Sequence, residues 1–352
     1  MEEIKSRAVL IDALKIAGAQ LIVLHHLAFY GPMSDIAYPL APGLIDWLSN
    51  QARMAVQLFL VVGGFLAARS LASRSEVLAE HPLDLALRRY CRLALPLIAA
   101  LGFAILSSGV ARVLLPHEST PATPSLPQFL AHLLLLQNLL GFEALSAGIW
   151  YISIDFQLYV LLVGLLWLFQ SRAPAAVGLL AVASLFYFNR MPVWDDWALY
   201  FLAAYAMGAL AYWASKREKP LPLLIFMATV VVLALTLDFR PRIAIALSTA
   251  ILLGLAYQHI RLPAAWAHRL NFLGDISYSV FLIHYPVCLL LNAIFGSVFP
   301  RDPAANAFGL LIAWSFSLLS GALFHRYIEK PSGLWLARKV SDRLAARTGT
   351  AG

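Results

Sequence analysis

The segment Lys15-Ile-Ala-Gly-Ala-Gln-Leu-Ile-Val-Leu-His25-His26 lies within the first long apolar stretch of the chain. His26 follows Lys15 by eleven positions, so on a helix the two side chains lie about 20° apart around the axis. Along that axis they are separated by roughly 16 Å. Inside a bilayer, ionisable groups are costly and tend to mark function. The segment therefore predicts a transmembrane helix that carries a cation near one end and a proton-transfer group near the other.

The composition of the whole chain agrees with a membrane location. Of its 352 residues, 61% are hydrophobic and only 13% are charged, which is far from the average of soluble proteins. We therefore predict an all-α polytopic membrane protein with about ten transmembrane helices. The predicted spans, read from apolar runs bounded by charges and prolines, lie near residues 9–29, 53–72, 93–114, 148–169, 174–189, 195–214, 221–237, 242–259, 273–296 and 304–327.

The distribution of Lys and Arg orients these spans. With both termini in the cytoplasm, the predicted outer loops hold only six of the 26 basic residues, and the positive-inside rule favours this arrangement. An eleventh span at 126–142 would reverse it, so this segment is expected to be an interfacial or re-entrant element on the outer side. The net charge of +7 is then explained by topology. It suits anionic membrane lipid and requires no nucleic acid.

The chain is predicted to form one transmembrane domain, residues 1–330, followed by a basic cytoplasmic tail, residues 331–352. The first apolar run lacks a small-residue cleavage site and is expected to be an uncleaved anchor. Cys91 and Cys288 fall on different predicted helices, so neither a disulfide framework nor a cysteine metal site is supported. No metal is predicted, because no His-x-x-x-His or Glu-bearing ligand set occurs within a span.

Asp155 is the carboxylate that we expect to act with His26. It lies about two turns from the outer end of the fourth predicted span, and there it needs an imidazole or an arginine as its partner. A histidine with a carboxylate could act as a general base. The residues alone also allow an interfacial histidine and a carboxylate that only packs helices together. Hydrogen-bonding groups crowd the same segment: Ser153, Gln157 and Tyr159.

On the inner side, Arg89 and Arg92 lie on one face of the third predicted span. They could form a phosphate clamp, since guanidinium groups bind phosphate in a bidentate manner, or they could serve only to orient the chain. In the ninth span, His284 lies mid-membrane and needs a partner. Ser277 and Tyr278 either pack or support the same site.

Taken in order, these motifs resemble the membrane-bound acyltransferase 3 family over essentially the whole chain. The family's opening pattern, a basic residue, ten residues and then a histidine, corresponds to Lys15 and His26. The other matching motifs are Phe59-Leu-Val-Val-Gly63-Gly64-Phe65-Leu66, Arg89 and Arg92 followed by Pro96, the segment from Trp150 to Tyr159, the segment from Ile276 to Pro286, and Glu329-Lys-Pro331.

The resemblance implies transfer of an acyl group, commonly acetyl from acetyl-CoA, to a hydroxyl of a cell-envelope glycan or related acceptor outside the bacterial inner membrane. It implies catalytic roles for His26 and Asp155. Lys15, Arg89 and Arg92 would bind the acyl-CoA.

The chain departs from the family pattern at four positions. Lys15 replaces the commoner Arg, Asp155 is one methylene shorter than Glu, Gln57 stands where an acidic residue is often found, and Gly63 replaces Ser.

Two other functions remain open on the residues alone. The same polar groups could line a proton-coupled path in a transporter or exporter of a polysaccharide or lipid-linked sugar, although the chain shows no inverted repeat of the kind that many transporters have. The departures also allow an inactive scaffold. Neither the acceptor, the acyl chain length nor the oligomeric state can be read from the sequence.

Overall fold

The structure, a computed structural model, describes residues 9–72, 78, 80–257, 260 and 263–349. Side chains are described within these ranges except at 264, 265 and from 340 onward. Four of the basic residues used to orient the chain, Lys5, Arg7, Arg74 and Arg261, lie outside the described residues, as does the end of the predicted tail.

Helices account for every regular element in the described part of the chain, with no strand among them. The α-helices are α1 (Val9–Phe29), α2 (Met33–Ala37), α3 (Pro42–Asn50), α4 (Val56–Leu71), α5 (Pro82–Leu114), α6 (Leu126–Leu133), α7 (Ile149–Phe169), α8 (Ala173–Phe186), α9 (Ala198–Ser215), α10 (Leu221–Leu237), α11 (Pro241–Ala256), α12 (Ala264–Val298), α13 (Pro303–Phe324) and α14 (Lys330–Gly349). A π-helical turn, His325–Glu329, joins α13 to α14. The all-α prediction is confirmed.

Seven helical stretches among the described residues are long and apolar enough to cross a membrane. One of them, Ile149–Arg190, includes both α7 and α8. The difference from ten predicted spans comes from α8, α10 and α11, which have 14, 17 and 16 residues. A helix of that length covers about 21–26 Å, less than the hydrocarbon core of about 30 Å. The structure thus supports a multi-pass membrane protein, while the count of ten and the cytoplasmic termini stay predictions.

Helix α12 packs against α1, α5 and α13. It runs parallel to α1, because Lys15 contacts Gly274 and, further along both helices, His26 contacts His284.

Helix α5 also runs parallel to α12. The Tyr278 hydroxyl donates to the Leu93 carbonyl, and Ala111, near the other end of α5, packs in a buried cluster with Leu289. Helices α1, α5 and α12 therefore form a parallel group, and depth along one of them can be compared with depth along the others.

Two glycines allow α4 and α9 to cross at backbone contact. A Cβ added to Gly64 would lie 1.8 Å from the Tyr205 carbonyl oxygen, and one added to Gly208 would lie 1.9 Å from the Val61 carbonyl oxygen. Small residues are used in this way where membrane helices approach closely. Gly64 and Gly208 therefore permit the close approach of α4 and α9.

The segment predicted as re-entrant contains only one short helix, α6, with eight residues. Ser125 caps it in a capping box with Gln128. At about 12 Å, α6 is too short to cross a bilayer, as predicted. Its end contacts α5, where the Tyr90 hydroxyl donates to the Leu133 carbonyl at 2.7 Å. The chain then turns through residues 134–148 before α7 begins.

Candidate active site

His26 and His284 form a buried histidine pair between α1 and α12. His26 Nδ1 lies 2.7 Å from His284 Nε2, and the two ring planes differ by only 10°. The exposed fractions are 7% for His26 and 0% for His284. The sequence predicted that His284 would need a partner and that His26 would act with Asp155, whereas the structure makes the two histidines partners of each other.

The other nitrogen of His284 is fixed by its own helix. His284 Nδ1 lies 2.9 Å from the Phe281 carbonyl oxygen and 3.1 Å from the Val280 carbonyl oxygen. Carbonyl oxygens only accept hydrogen bonds, so Nδ1 of the neutral ring must carry the hydrogen. His284 Nε2 is then the acceptor, and His26 Nδ1 is the donor.

Aromatic rings enclose the histidine pair at the end of α1. The Tyr30 ring lies 5.4 Å from the His26 ring and 5.0 Å from the Tyr285 ring. Burial raises the pKa of the Tyr30 phenol, which stays protonated. The Tyr285 hydroxyl donates to the Ser119 carbonyl at 2.7 Å, which ties the segment after α5 to this end of the site.

His25 faces a different environment from His26. Its Nδ1 lies 3.2 Å from the Leu48 carbonyl oxygen of α3. This contact gives His25 a role in helix packing.

Lys15 lies on the same face of α1 as His26, and both residues contact α12. Its ammonium donates to the Gly274 carbonyl at 2.5 Å and lies 3.3 Å from Asp12 Oδ1. The side chain keeps 24% of its surface exposed. The predicted shared face of Lys15 and His26 is therefore confirmed.

Asp155 is paired with Arg89 in the structure, while His284 occupies the side of His26 where a carboxylate was expected. The Arg89 guanidinium donates to Asp155 Oδ2 in a charge-assisted hydrogen bond. Arg89 also stacks over the Tyr159 ring, with 5.1 Å between Cζ and the ring centroid. Of the two partners expected for this carboxylate, an imidazole or an arginine, the fold supplies the arginine.

The depth of this ion pair follows from the parallel helices. Arg89 lies one turn before Leu93 in α5, and Gly274 lies one turn before Tyr278 in α12. Because the Tyr278 hydroxyl contacts the Leu93 carbonyl at 3.2 Å, Arg89 and Gly274 lie at similar depth. The ion pair is thus at the depth of Lys15, which contacts Gly274, and about three helical turns from the histidine pair.

Arg92 is exposed, whereas Arg89 is partly buried against Asp155. The shared phosphate clamp of the two arginines stays a prediction. Arg89 Nε is buried without a hydrogen-bond partner among the described residues, so Arg89 keeps one free donor.

The remaining predicted site residues form hydrogen bonds that hold the helices of the site in place. Ser153 Oγ accepts from Gln137 Nε2 at 2.6 Å, and Gln157 Oε1 accepts from the Ala198 amide at 3.2 Å. Ser277 Oγ donates to the Leu273 carbonyl one turn earlier in α12 at 2.8 Å. These contacts tie α7 to its neighbours and satisfy the polar groups of α12.

Two of the four departures from the family pattern, Gly63 and Asp155, can be understood together. A Cβ on Gly63 would lie 3.3 Å from both Asp155 Oδ1 and the Tyr205 ring. Gly63 therefore leaves room for the ion pair where a serine side chain would crowd it. Gln57 is buried, with 6% exposed, but no contact in the structure explains its replacement of an acidic residue.

Sequence reasoning did not find Gln137 or Tyr205. Gln137 is fully buried and holds Ser153. Tyr205 is 1% exposed, and its hydroxyl has no hydrogen-bond partner among the described residues. Neither belongs to a recognisable motif, so only its position in the fold brings it to the site. The described residues contain no group of three His, Cys, Asp or Glu side chains that could hold a metal ion.

Comparison with known families gives one match. A family model described as an acyltransferase domain, that of the acyltransferase 3 family, matches residues 9–320. No curated protein and no solved structure shows significant similarity to the chain. The matched range runs from the first described residue through most of α13, so it includes both the histidine pair and the Arg89–Asp155 ion pair.

Proposed function

Because the chain belongs to the acyltransferase 3 family, we propose that it moves an acyl group, commonly acetyl, from acyl-CoA to a hydroxyl of an extracytoplasmic carbohydrate or related acceptor. The observation that carries this proposal is the buried His26, whose Nδ1 is engaged by His284. Its Nε2 is then left with a lone pair that can take a proton. The proposed location is the bacterial inner membrane.

The basic groups at the other end of α1 are proposed to bind the donor. Lys15 is partly exposed and Arg92 is exposed, and both suit the phosphates of CoA. Arg89 contributes its buried Nε–H, which lacks a partner among the described residues. Lys15 and His26 lie roughly 16 Å apart along α1, and the thioester arm of the donor would cover that separation. Membrane lipid surrounds the spans, and no oligomer is needed for this arrangement.

In the proposed reaction, the acyl group moves from the CoA sulfur to the acceptor oxygen. The acceptor oxygen attacks the thioester carbonyl carbon while His26 Nε2 takes the hydroxyl proton. The new C–O bond forms, the C–S bond breaks, and the departing CoA thiolate receives a proton from the imidazolium. A covalent variant, in which Nε2 first accepts the acyl group and then passes it to the acceptor, uses the same nitrogen.

The acceptor is proposed to reach His26 from the outer end of α1. Tyr30 and Tyr285 line this end, and aromatic faces suit the apolar faces of sugar rings. The transporter reading is not favoured, because the matching family model describes an acyltransferase.

The decisive experiment uses labelled acetyl-CoA and membranes of the source organism, with the chain present or deleted. We expect His26→Ala to lower label transfer to membrane-bound glycan by about 10²–10⁴-fold, the usual contribution of general acid–base catalysis. His25→Asn is the matched control, because Asn can still donate to the Leu48 carbonyl, and it should transfer label at the wild-type rate.

Two results would count against the proposal. Wild-type transfer by His26→Ala would remove His26 from the chemistry. Gradient-driven solute flux without any acylation would indicate a transporter. Label trapped on the wild-type protein when acceptor is withheld would favour the covalent variant over direct transfer.

A further inference from the structure

We propose that His284 is the positioning residue for His26: it holds His26 in the Nδ1–H form, so that Nε2 is the reacting nitrogen. This inference rests on the proposed function and assigns to an imidazole the task that a carboxylate performs in many histidine-dependent enzymes.

The direction of the hydrogen bonds carries the argument. The carbonyls of Val280 and Phe281 fix the hydrogen of His284 on Nδ1. His284 Nε2 can therefore only accept, and the group 2.7 Å away, His26 Nδ1, must donate. No other assignment of two neutral rings satisfies all of these contacts. The tautomer of His26 is thus set by the backbone of α12.

The backbone that sets this tautomer is itself held in place. A Cβ on Gly321 of α13 would lie 2.3 Å from Val280 Cγ2 and 2.8 Å from Val280 Cα. Helix α13 therefore packs directly against the turn whose carbonyls bind His284. Close packing of this kind limits movement of the ring, so His284 presents Nε2 to His26 in one fixed direction.

An imidazole suits this position for an electrostatic reason. A carboxylate without a cation is expensive to place inside a membrane, and Asp155 is already paired with Arg89 at the depth of Lys15. A neutral imidazole avoids that cost and still accepts the Nδ1–H bond. When His26 takes the acceptor proton on Nε2, the resulting imidazolium keeps this hydrogen bond, which strengthens because its donor is now charged.

His284 does not itself transfer a proton in this scheme. Its Nδ1 keeps its hydrogen throughout and donates it to the Phe281 and Val280 carbonyls, and its Nε2 only accepts. The proton from the acceptor hydroxyl goes to His26 Nε2 and leaves with the CoA thiol. His284 therefore acts through His26, without touching the donor or the acceptor.

The test compares three variants of the full-length protein. The amide oxygen of His284→Gln reaches the place of Nε2 and can accept from His26, whereas His284→Asn is too short and His284→Leu has no acceptor. We expect His284→Gln to keep kcat within about tenfold of wild type. The other two should lose at least about 100-fold, within the 10⁴-fold range seen when a catalytic histidine is held in the wrong tautomer. KM for acyl-CoA should not change, because Lys15 and Arg89 are untouched.

A second readout does not depend on turnover. In protein with ¹⁵N-labelled histidine, NMR correlations through the ring nitrogens distinguish Nδ1–H from Nε2–H. We expect His26 to be in the Nδ1–H form in wild type and His284→Gln, and to shift toward Nε2–H in His284→Asn. Thermal unfolding in detergent identifies any variant that fails to fold. If His284→Leu does not fold, the comparison of His284→Gln with His284→Asn still tests the inference.

Two results would overturn the inference. One is an Nε2–H tautomer for His26 in the wild type, and the other is equal kcat for the folded Gln and Asn variants. Failure of the proposed function looks different: the wild type would transfer no acyl group at all, while the NMR measurement would still report the tautomer of His26.

Discussion

A carboxylate inside a membrane protein needs a counter-charge, and Arg89 supplies it for Asp155. The side chain of Asp155 keeps only 6% of its surface exposed, against 25% for Arg89. Removing one partner from such a pair leaves the other as an uncompensated charge, which costs more than the pair itself contributes. We therefore expect Asp155 to act first on stability at this position.

This view predicts the behaviour of Asp155→Asn. We expect the variant to lose on the order of 3 kcal/mol of unfolding free energy, the low end for a broken buried pair, because Arg89 retains some exposure. Denaturation in SDS measures the loss. The double variant Arg89→Met, Asp155→Leu removes both charges and should regain most of it. A folded Asp155→Asn with wild-type stability but no acyl transfer would instead give Asp155 a direct part in the chemistry.

Among the helix crossings, that of α4 and α9 leaves the least space for an added side-chain atom. Each glycine there lies against a backbone carbonyl of the other helix, and a carbonyl cannot move away as a flexible side chain can. Helix α4 also carries Gly63, which borders Asp155. The crossing therefore helps to set the room available to the ion pair.

A glycine series tests this crossing. Gly64→Ala and Gly208→Ala should each greatly reduce the yield of folded protein, because the new methyl would lie within 2 Å of a carbonyl oxygen. Gly164→Ala in α7 is the matched control, since nothing lies within 4 Å of its added Cβ. Alanine there should be neutral or stabilise by up to about 1 kcal/mol. Size-exclusion profiles and Tm values in detergent report the outcome, and a normally folded Gly64→Ala would contradict the crossing.

For the whole molecule, the arrangement of α1, α5 and α12 separates two kinds of chemistry. Their parallel course places Lys15 and the ion pair at one depth and the histidine pair about three turns away. A donor with phosphates at one surface and an acceptor at the other would meet between them. The orientation of this axis in the membrane rests on the positive-inside rule.

Cysteine labelling checks that orientation. In a background with Cys91→Ser and Cys288→Ala, a cysteine at exposed Gly43 should react with a membrane-impermeant maleimide added to intact cells. A cysteine replacing Glu218, beside the basic residues 216–219, should react only after the membrane is opened. The reverse pattern would invert the proposed sides for donor and acceptor and would contradict the predicted cytoplasmic termini.

The sequence was sufficient for the helical class, the membrane location, the family and the shared face of Lys15 and His26. All of these depend on composition or on helical periodicity, which are local properties of the chain. The number of spans was less well determined. Helices α8, α10 and α11 are close to the length limit, so composition alone does not decide whether each one crosses.

The pairing of the polar residues was decided only by the tertiary structure. His26 and His284 are separated by 258 positions in the chain, and Arg89 and Asp155 by 66. The sequence indicated that His284 and Asp155 each needed a partner, because an unpaired polar group in a membrane is costly. Which partner each receives depends on how α1, α5, α7 and α12 pack, and that packing placed an imidazole beside His26 and an arginine beside Asp155.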